Sequence, residues 1–104
     1  MTANFRLIAI NAEAEIRSIA QQFVADCSVT ALALEPTQPW FLIRTRTDAE
    51  RDLLTENQAL LTEFEAVFRT RECPDEIVQC LTFTFQSQET VERDYAGNWH
   101  RALK

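Results

Sequence analysis

One glycine, Gly97, in 104 residues is the feature that most limits what this chain can fold into. Glycine lets a backbone turn with positive φ and approach an anion closely. Phosphate cradles and dinucleotide folds need several glycines clustered in one loop. A chain with one cannot build them, which excludes nucleotide-dependent enzymes. With only 3 prolines as further punctuation, connections should be short and the structure compact. No repeat, low-complexity tract or linker is visible, so residues 1–104 read as one domain. A domain of this length buries roughly two-thirds of the surface its unfolded chain exposes, enough for a core without staples.

Hydrophobic residues at 46% and charged residues at 25% describe a globular chain rather than a disordered one. No apolar run approaches the ~18 residues of a membrane span. The first ten residues hold Arg6 and the short run Leu7-Ile8-Ala9-Ile10, without the longer apolar stretch and cleavage site of a secretory signal. Cys27, Cys73 and Cys80 are odd in number and form no C-x-x-C, so they read as reduced thiols. Together these features predict a cytoplasmic protein without membrane attachment.

Acids outnumber bases 16 to 10, which argues against nucleic acid, whose phosphates demand a basic surface. All the bases but Lys104 are arginine. Protein interfaces favour arginine because its planar fork pairs with carboxylates and stacks on rings. A codon bias of the source genome explains the same usage equally well.

Periodicity supplies the elements. Residues Asn4 to Ile10 alternate weakly and read as a short strand, although Phe5, Ile8 and Ala12 also continue the helical stripe that follows. Ala12, Ile16, Ile19, Ala20, Phe23 and Cys27 recur at spacings of three and four, predicting a helix from about Ala12 to Asp26, N-capped by Asn11. Ser28 to Leu34 and Trp40 to Arg46 read as a hairpin joined by a proline-containing loop. Thr47-Asp48-Ala49-Glu50 is a capping box that opens one long helix, with Leu53, Leu60, Phe64 and Val67 as its stripe and Leu54, Leu61 and Phe68 beside it. Cys73-Pro74 stops that helix. Ile77 to Gln86 alternates as a strand. The last segment fits helix or strand, and a short helix from about Gln88 to Tyr95 followed by a tail packing Trp99 is the expectation. The order predicts an α+β, ferredoxin-like split βαβ sandwich (βαββαβ) with a C-terminal extension, or αββαββ if the first strand fails.

Strand parity then separates two faces. Phe41, Ile43, Leu81, Phe83 and Phe85 should lie under the helices, leaving Trp40, Leu42, Arg44, Val78, Cys80, Thr82 and Thr84 on the other face. That set mixes apolar surface with an aromatic and an arginine, as interfaces do. The alternative is that the chain's own end covers it with Tyr95 and Trp99. The C-terminal stretch concentrates Tyr95, Trp99, His100 and Arg101, again contact-type residues. Trp40, Arg44, Thr82, Tyr95, Trp99 and Arg101 are therefore the candidate partner-binding residues.

No chemistry stands out beside them. Cys73 and Cys80 lack the spacing of a zinc knuckle, with Cys27 and His100 the remaining soft ligands. His100 is the sole histidine, so a Cys–His pair would need the C-terminal segment to meet Cys73 or Cys80. Asp48/Asp52 and Glu63/Glu65 sit on a solvated helix face. Trp40 with Arg44 and Arg46 faintly echoes the stacking sheets of RNA readers, without their motifs. The expectation is no catalysis, no cofactor and no metal. It favours a small acidic protein that binds a protein partner, as an inhibitor, immunity-like protein or adaptor. The other readings are a dimeric ligand-sensing domain and, third, a small dimeric enzyme.

Overall fold

In the computed structural model, which describes residues 5–103, the two competing N-terminal patterns resolve as helix. Helix α1 spans Phe5–Gln21 and buries Phe5, Ile8, Ala9, Ala12, Ile16 and Ala20 along one stripe. The alternating pattern would have put Leu7 beside Phe5, yet Leu7 is 57% exposed. The expected strand at 4–10 is thus corrected for its described part, and Asn4 lies outside the described residues. Asn11 sits inside α1 rather than at its cap, and the helix ends before Asp26, leaving Phe23 outside the core. Three alanines on the buried stripe, Ala9, Ala12 and Ala20, are fully covered, which allows close packing against the elements beneath.

Strands β1 (Ser28–Ala33) and β2 (Trp40–Thr45) pair antiparallel, with Val29 opposite Ile43 and a register shift between Ala31 and Ala33. Strand β3 (Thr82–Ser87) pairs parallel to β2, with Phe41 opposite Phe83 and Ile43 opposite Phe85. The order β1-β2-β3 places β2 in the centre. A parallel pair needs a long crossover, and here it carries three helices, α2 (Asp48–Thr55), α3 (Gln58–Thr70) and α4 (Asp75–Val78).

The capping box forms as the sequence predicts. The Glu50 amide donates to Thr47 Oγ1 at 3.2 Å, and Glu50 Oε1 accepts the Thr47 amide at 3.1 Å. The single long helix does not. Asn57 adopts an extended conformation between α2 and α3, and this break shifts the buried phase. Leu54 points inward at 1% exposure, whereas Leu53 is 53% exposed. At its far end α3 stops where Glu72 takes positive φ, so that the Cys73 amide returns to the Phe68 carbonyl at 3.1 Å.

Pro74, whose φ of −58° already suits a helical start, leads into the single turn α4. The expected strand at 77–86 therefore begins only at Thr82. Val78 belongs to the core and Cys80 is an exposed turn residue, so neither lies on the sheet face proposed for it. After β3, helix α5 occupies Gln88–Tyr95 as expected, and Trp99–Ala102 forms a helical turn, α6, where a tail was expected. Three strands are present among the described residues, so the four-stranded βαββαβ sheet is not seen. The helix–hairpin–helix opening of the alternative is present, with α5 and α6 where its second hairpin was expected.

The core lies between the sheet and the α1/α3 layer. Phe41 meets Phe68 edge-on at 5.6 Å between centroids and Phe83 at 5.7 Å, while Phe64 lies 5.1 Å from Phe83. Ile43 is buried beside them, and Phe85 packs against the same cluster while half-exposed. The inward parity read from the sequence therefore holds. Truncating a ring such as Phe64 to alanine costs about 3–5 kcal/mol.

An edge strand invites pairing with another chain unless something occupies its outer groups. On β1 a charged pair from α1 does so. Glu13 Oε2 accepts the Ala31 amide at 3.0 Å, and Arg17, bonded to Glu13 at 3.1 Å, reaches the Val29 carbonyl at 3.4 Å. No helix among the described residues is long and apolar enough to cross a membrane.

Candidate partner-binding face

The sheet face turned away from α1 and α3 follows from register. Trp40, Leu42 and Arg44 on β2 align with Thr82, Thr84 and Gln86 on β3, and Leu42 and Arg44 with Thr30 and Ser28 on β1. The face is not uniform. Leu42, expected to be open, is 4% exposed, and it divides two unlike ends.

At one end stands Trp40, half-buried, whose indole N–H donates to Thr84 Oγ1 at 2.8 Å. The hydrogen bond fixes the ring and removes its polar demand, leaving apolar surface to face outward. Beside it Ala33, Gln38, Trp40, Thr82 and Thr84 line an open hollow of about 370 Å³. Thr82 is exposed, and its amide is held by the Pro39 carbonyl at 3.0 Å.

At the other end the chain covers part of the sheet itself. The Arg44 guanidinium carbon lies 4.1 Å from the centre of the Trp99 ring. Gln88 Oε1 accepts both the Trp99 indole N–H at 2.9 Å and Arg44 Nη2 at 3.3 Å. Positive φ at Ala96 (51°) and Gly97 (80°) turns the chain from α5 into α6, and Asn98 Oδ1 caps α6 by accepting the Arg101 amide at 3.1 Å. Beside Arg44, a second hollow of about 210 Å³ is lined by Asp26, Ser28, Arg44, Thr45, Arg46 and Gln88. Tyr95 is half-buried on α5, and Arg101 is exposed on α6. Among the described residues neither side chain makes a hydrogen bond or ion pair.

Thus the structure brings Trp40 and Thr82 together, and separately Arg44 and Trp99, while tying neither Tyr95 nor Arg101 to the sheet. The chain's own end covers the face over Arg44 through Trp99 alone, without Tyr95, and leaves it open at Trp40. Gln88 and Ser28 were missed because each is an ordinary polar residue whose role comes from what the fold sets opposite it.

A polar cluster next to the face was also missed. Asp48, at the start of α2, accepts from the hydroxyls of Ser87 and Thr90 at the start of α5, and from Arg93 Nη1 at 2.8 Å. In return Glu89 Oε1 accepts the Asp48 amide at 2.9 Å. These hydroxyls, with Arg93, hold the Asp48 carboxyl well below the usual carboxylate range, and Asp94 and Asp48 push Arg93 upward. Ser87-Gln88-Glu89-Thr90 carried the available signal, an N-cap serine with an acid in the first turn.

Chemically this cluster is occupied. Ser87 is fully buried, its Oγ donating to Asp48 and accepting the Thr90 amide at 3.0 Å. Burial pushes the Cys27 and Cys73 thiols up, away from thiolate. No group of three or more His, Cys, Asp or Glu among the described residues is placed to hold a metal. No protein-family model matches this chain, and neither a curated protein nor a solved structure matches it significantly.

Proposed function

We propose that this chain is a non-catalytic binding domain that captures a protein partner on the free end of its sheet face, with Trp40 as the anchor. The observation that carries this reading is the pairing of a hydrogen-bonded, half-buried tryptophan with an open hollow of about 370 Å³. A fixed aromatic ring bordering a pocket is the usual centre of an energetic hot spot. The net charge of −6 steers a partner that is basic overall and keeps the domain soluble. An inhibitor, immunity-like protein or adaptor fits these properties.

The second reading is a dimer through the same face that senses a small ligand, favoured by the hollow lying within the size range of small-molecule sites. A small dimeric enzyme built around that hollow ranks below it.

A photoreactive amino acid placed at Thr82 tests the proposal in living cells. A discrete adduct with another protein is expected, weakened by Trp40→Ala and absent when the label sits at Ser18 on α1. An adduct with a second copy of the chain supports the dimeric reading. Equal labelling from Thr82 and Ser18 refutes both.

A further inference from the structure

We infer that Arg44 forms the base of a carboxylate-binding pocket, and that the partner captured on this face seats an aspartate or glutamate side chain there. This inference rests on the partner-binding reading above and assigns the partner a specific contact.

Most of the other described arginines are paired with acids, and Arg101, which is not, is exposed on α6. Arg17, Arg46, Arg51, Arg69, Arg71 and Arg93 each reach a carboxylate within the chain. Among the described residues Arg44 reaches none, although it is half-buried in a chain whose acids outnumber its bases 16 to 10. Glu92, one turn along α5, is engaged by the Gln88 amide nitrogen at 3.1 Å rather than by Arg44.

What holds Arg44 is suited to presenting it. Trp99 covers one face of the guanidinium, and Gln88 accepts from Nη2. A guanidinium carries five N–H donors, so most remain available to a planar, two-oxygen acceptor. Stacking and one hydrogen bond remove much of the side-chain freedom that a flexible arginine loses on binding. The hollow of about 210 Å³ in front of it has room for a carboxylate with water, and Ser28 supplies a hydroxyl on its wall. Its own acid, Asp26, pairs with Arg46 at 3.1 Å rather than with Arg44. A partner that is basic overall still displays single carboxylates, and this pocket selects one of them.

Acetate is the probe for the pocket. The full chain, labelled for NMR, is titrated with sodium acetate, with sodium phosphate and with sodium chloride at matched ionic strength. Acetate is expected to shift the Arg44 Nε–H resonance and the Ser28 and Arg46 amides saturably, where chloride does not. Arg44→Lys keeps the charge but loses the fork, and should weaken acetate binding about tenfold, the difference between bidentate and point-charge pairing. Absence of a saturable shift overturns the pocket, as does an equal shift in Arg44→Lys. Tighter binding of phosphate than of acetate overturns the carboxylate assignment. In cells, cross-linking from Thr82 should fall when Arg44→Lys is introduced. Undiminished cross-linking refutes the seated carboxylate while leaving partner capture at Trp40 standing.

Discussion

Replacing Trp99 by alanine probes whether the C-terminal turn is docked on the sheet. The indole contributes a guanidinium contact at 4.1 Å and a hydrogen bond to Gln88 at 2.9 Å. A cation over an indole ring is worth about 0.5–2 kcal/mol depending on its desolvation, and a net hydrogen bond about 1 kcal/mol. Trp99→Ala should therefore lower stability by about 2 kcal/mol and Arg44→Ala by about 1–2 kcal/mol. The two losses should not add. Both side chains donate to the same Gln88 oxygen as well as touching each other, so removing either releases part of what the other contributes. A coupling of about 0.5–2 kcal/mol is expected from a double-mutant cycle. Urea unfolding of the wild type, both single variants and the double variant measures it directly, provided the m-values agree. Coupling below about 0.3 kcal/mol, within ordinary additivity, would show that Trp99 does not sit on Arg44 and that the account of this end of the face is wrong.

Three further outcomes follow from the same structure. Glu13→Ala frees the Ala31 amide and loosens Arg17 from the Val29 carbonyl, so light scattering across a concentration series should show more self-association than wild type; unchanged masses would mean the pair does not guard the β1 edge. Because the Asp48 carboxyl is held below its unfolded value, its contribution is present above pH ~4 and declines as pH falls through the lower folded value. Acid unfolding of Asp48→Asn should accordingly show a shallower pH dependence below pH ~4, and an identical profile would remove Asp48 from the fold's acid response. Glu72 and Ala96 hold positive φ without being glycine, so Glu72→Gly and Ala96→Gly should each raise stability by up to about 1 kcal/mol, read from the urea midpoint. A lower midpoint would place their backbones elsewhere.

Much of the fold was legible where pattern and partner agree. Phe41 and Ile43 followed strand parity into the core, and Thr47 with Glu50 announced α2. The start of α5 at Gln88 also emerged correctly. The failures share a cause. Residues 5–10 satisfied two periods at once, and tertiary packing on α3 and β1 decided between them. Asn57 broke a helix whose apolar spacing runs through it, because a short polar side chain tolerates extended backbone as well as helix. Ile77 and Val78 alternate with their neighbours, but Pro74 starts a helical turn that recruits them first. On the candidate face, Trp40 and Thr82 were found by parity, and Trp99 by its size. Gln88 gave no signal, since its role is to join Arg44 to Trp99 across 44 and 11 residues of chain. Long-range polar contacts leave no period to read.

Other exposed apolar side chains compete with the sheet face for a partner, foremost those on the outer side of α1, where Leu7 and Ile10 are 57% and 54% exposed. Hydroxyl-radical footprinting of the captured complex, read residue by residue by mass spectrometry, distinguishes them. The account predicts that Trp40 loses oxidation on binding while Leu7 and Ile10 keep theirs. Protection of Leu7 and Ile10 with Trp40 unchanged would contradict it.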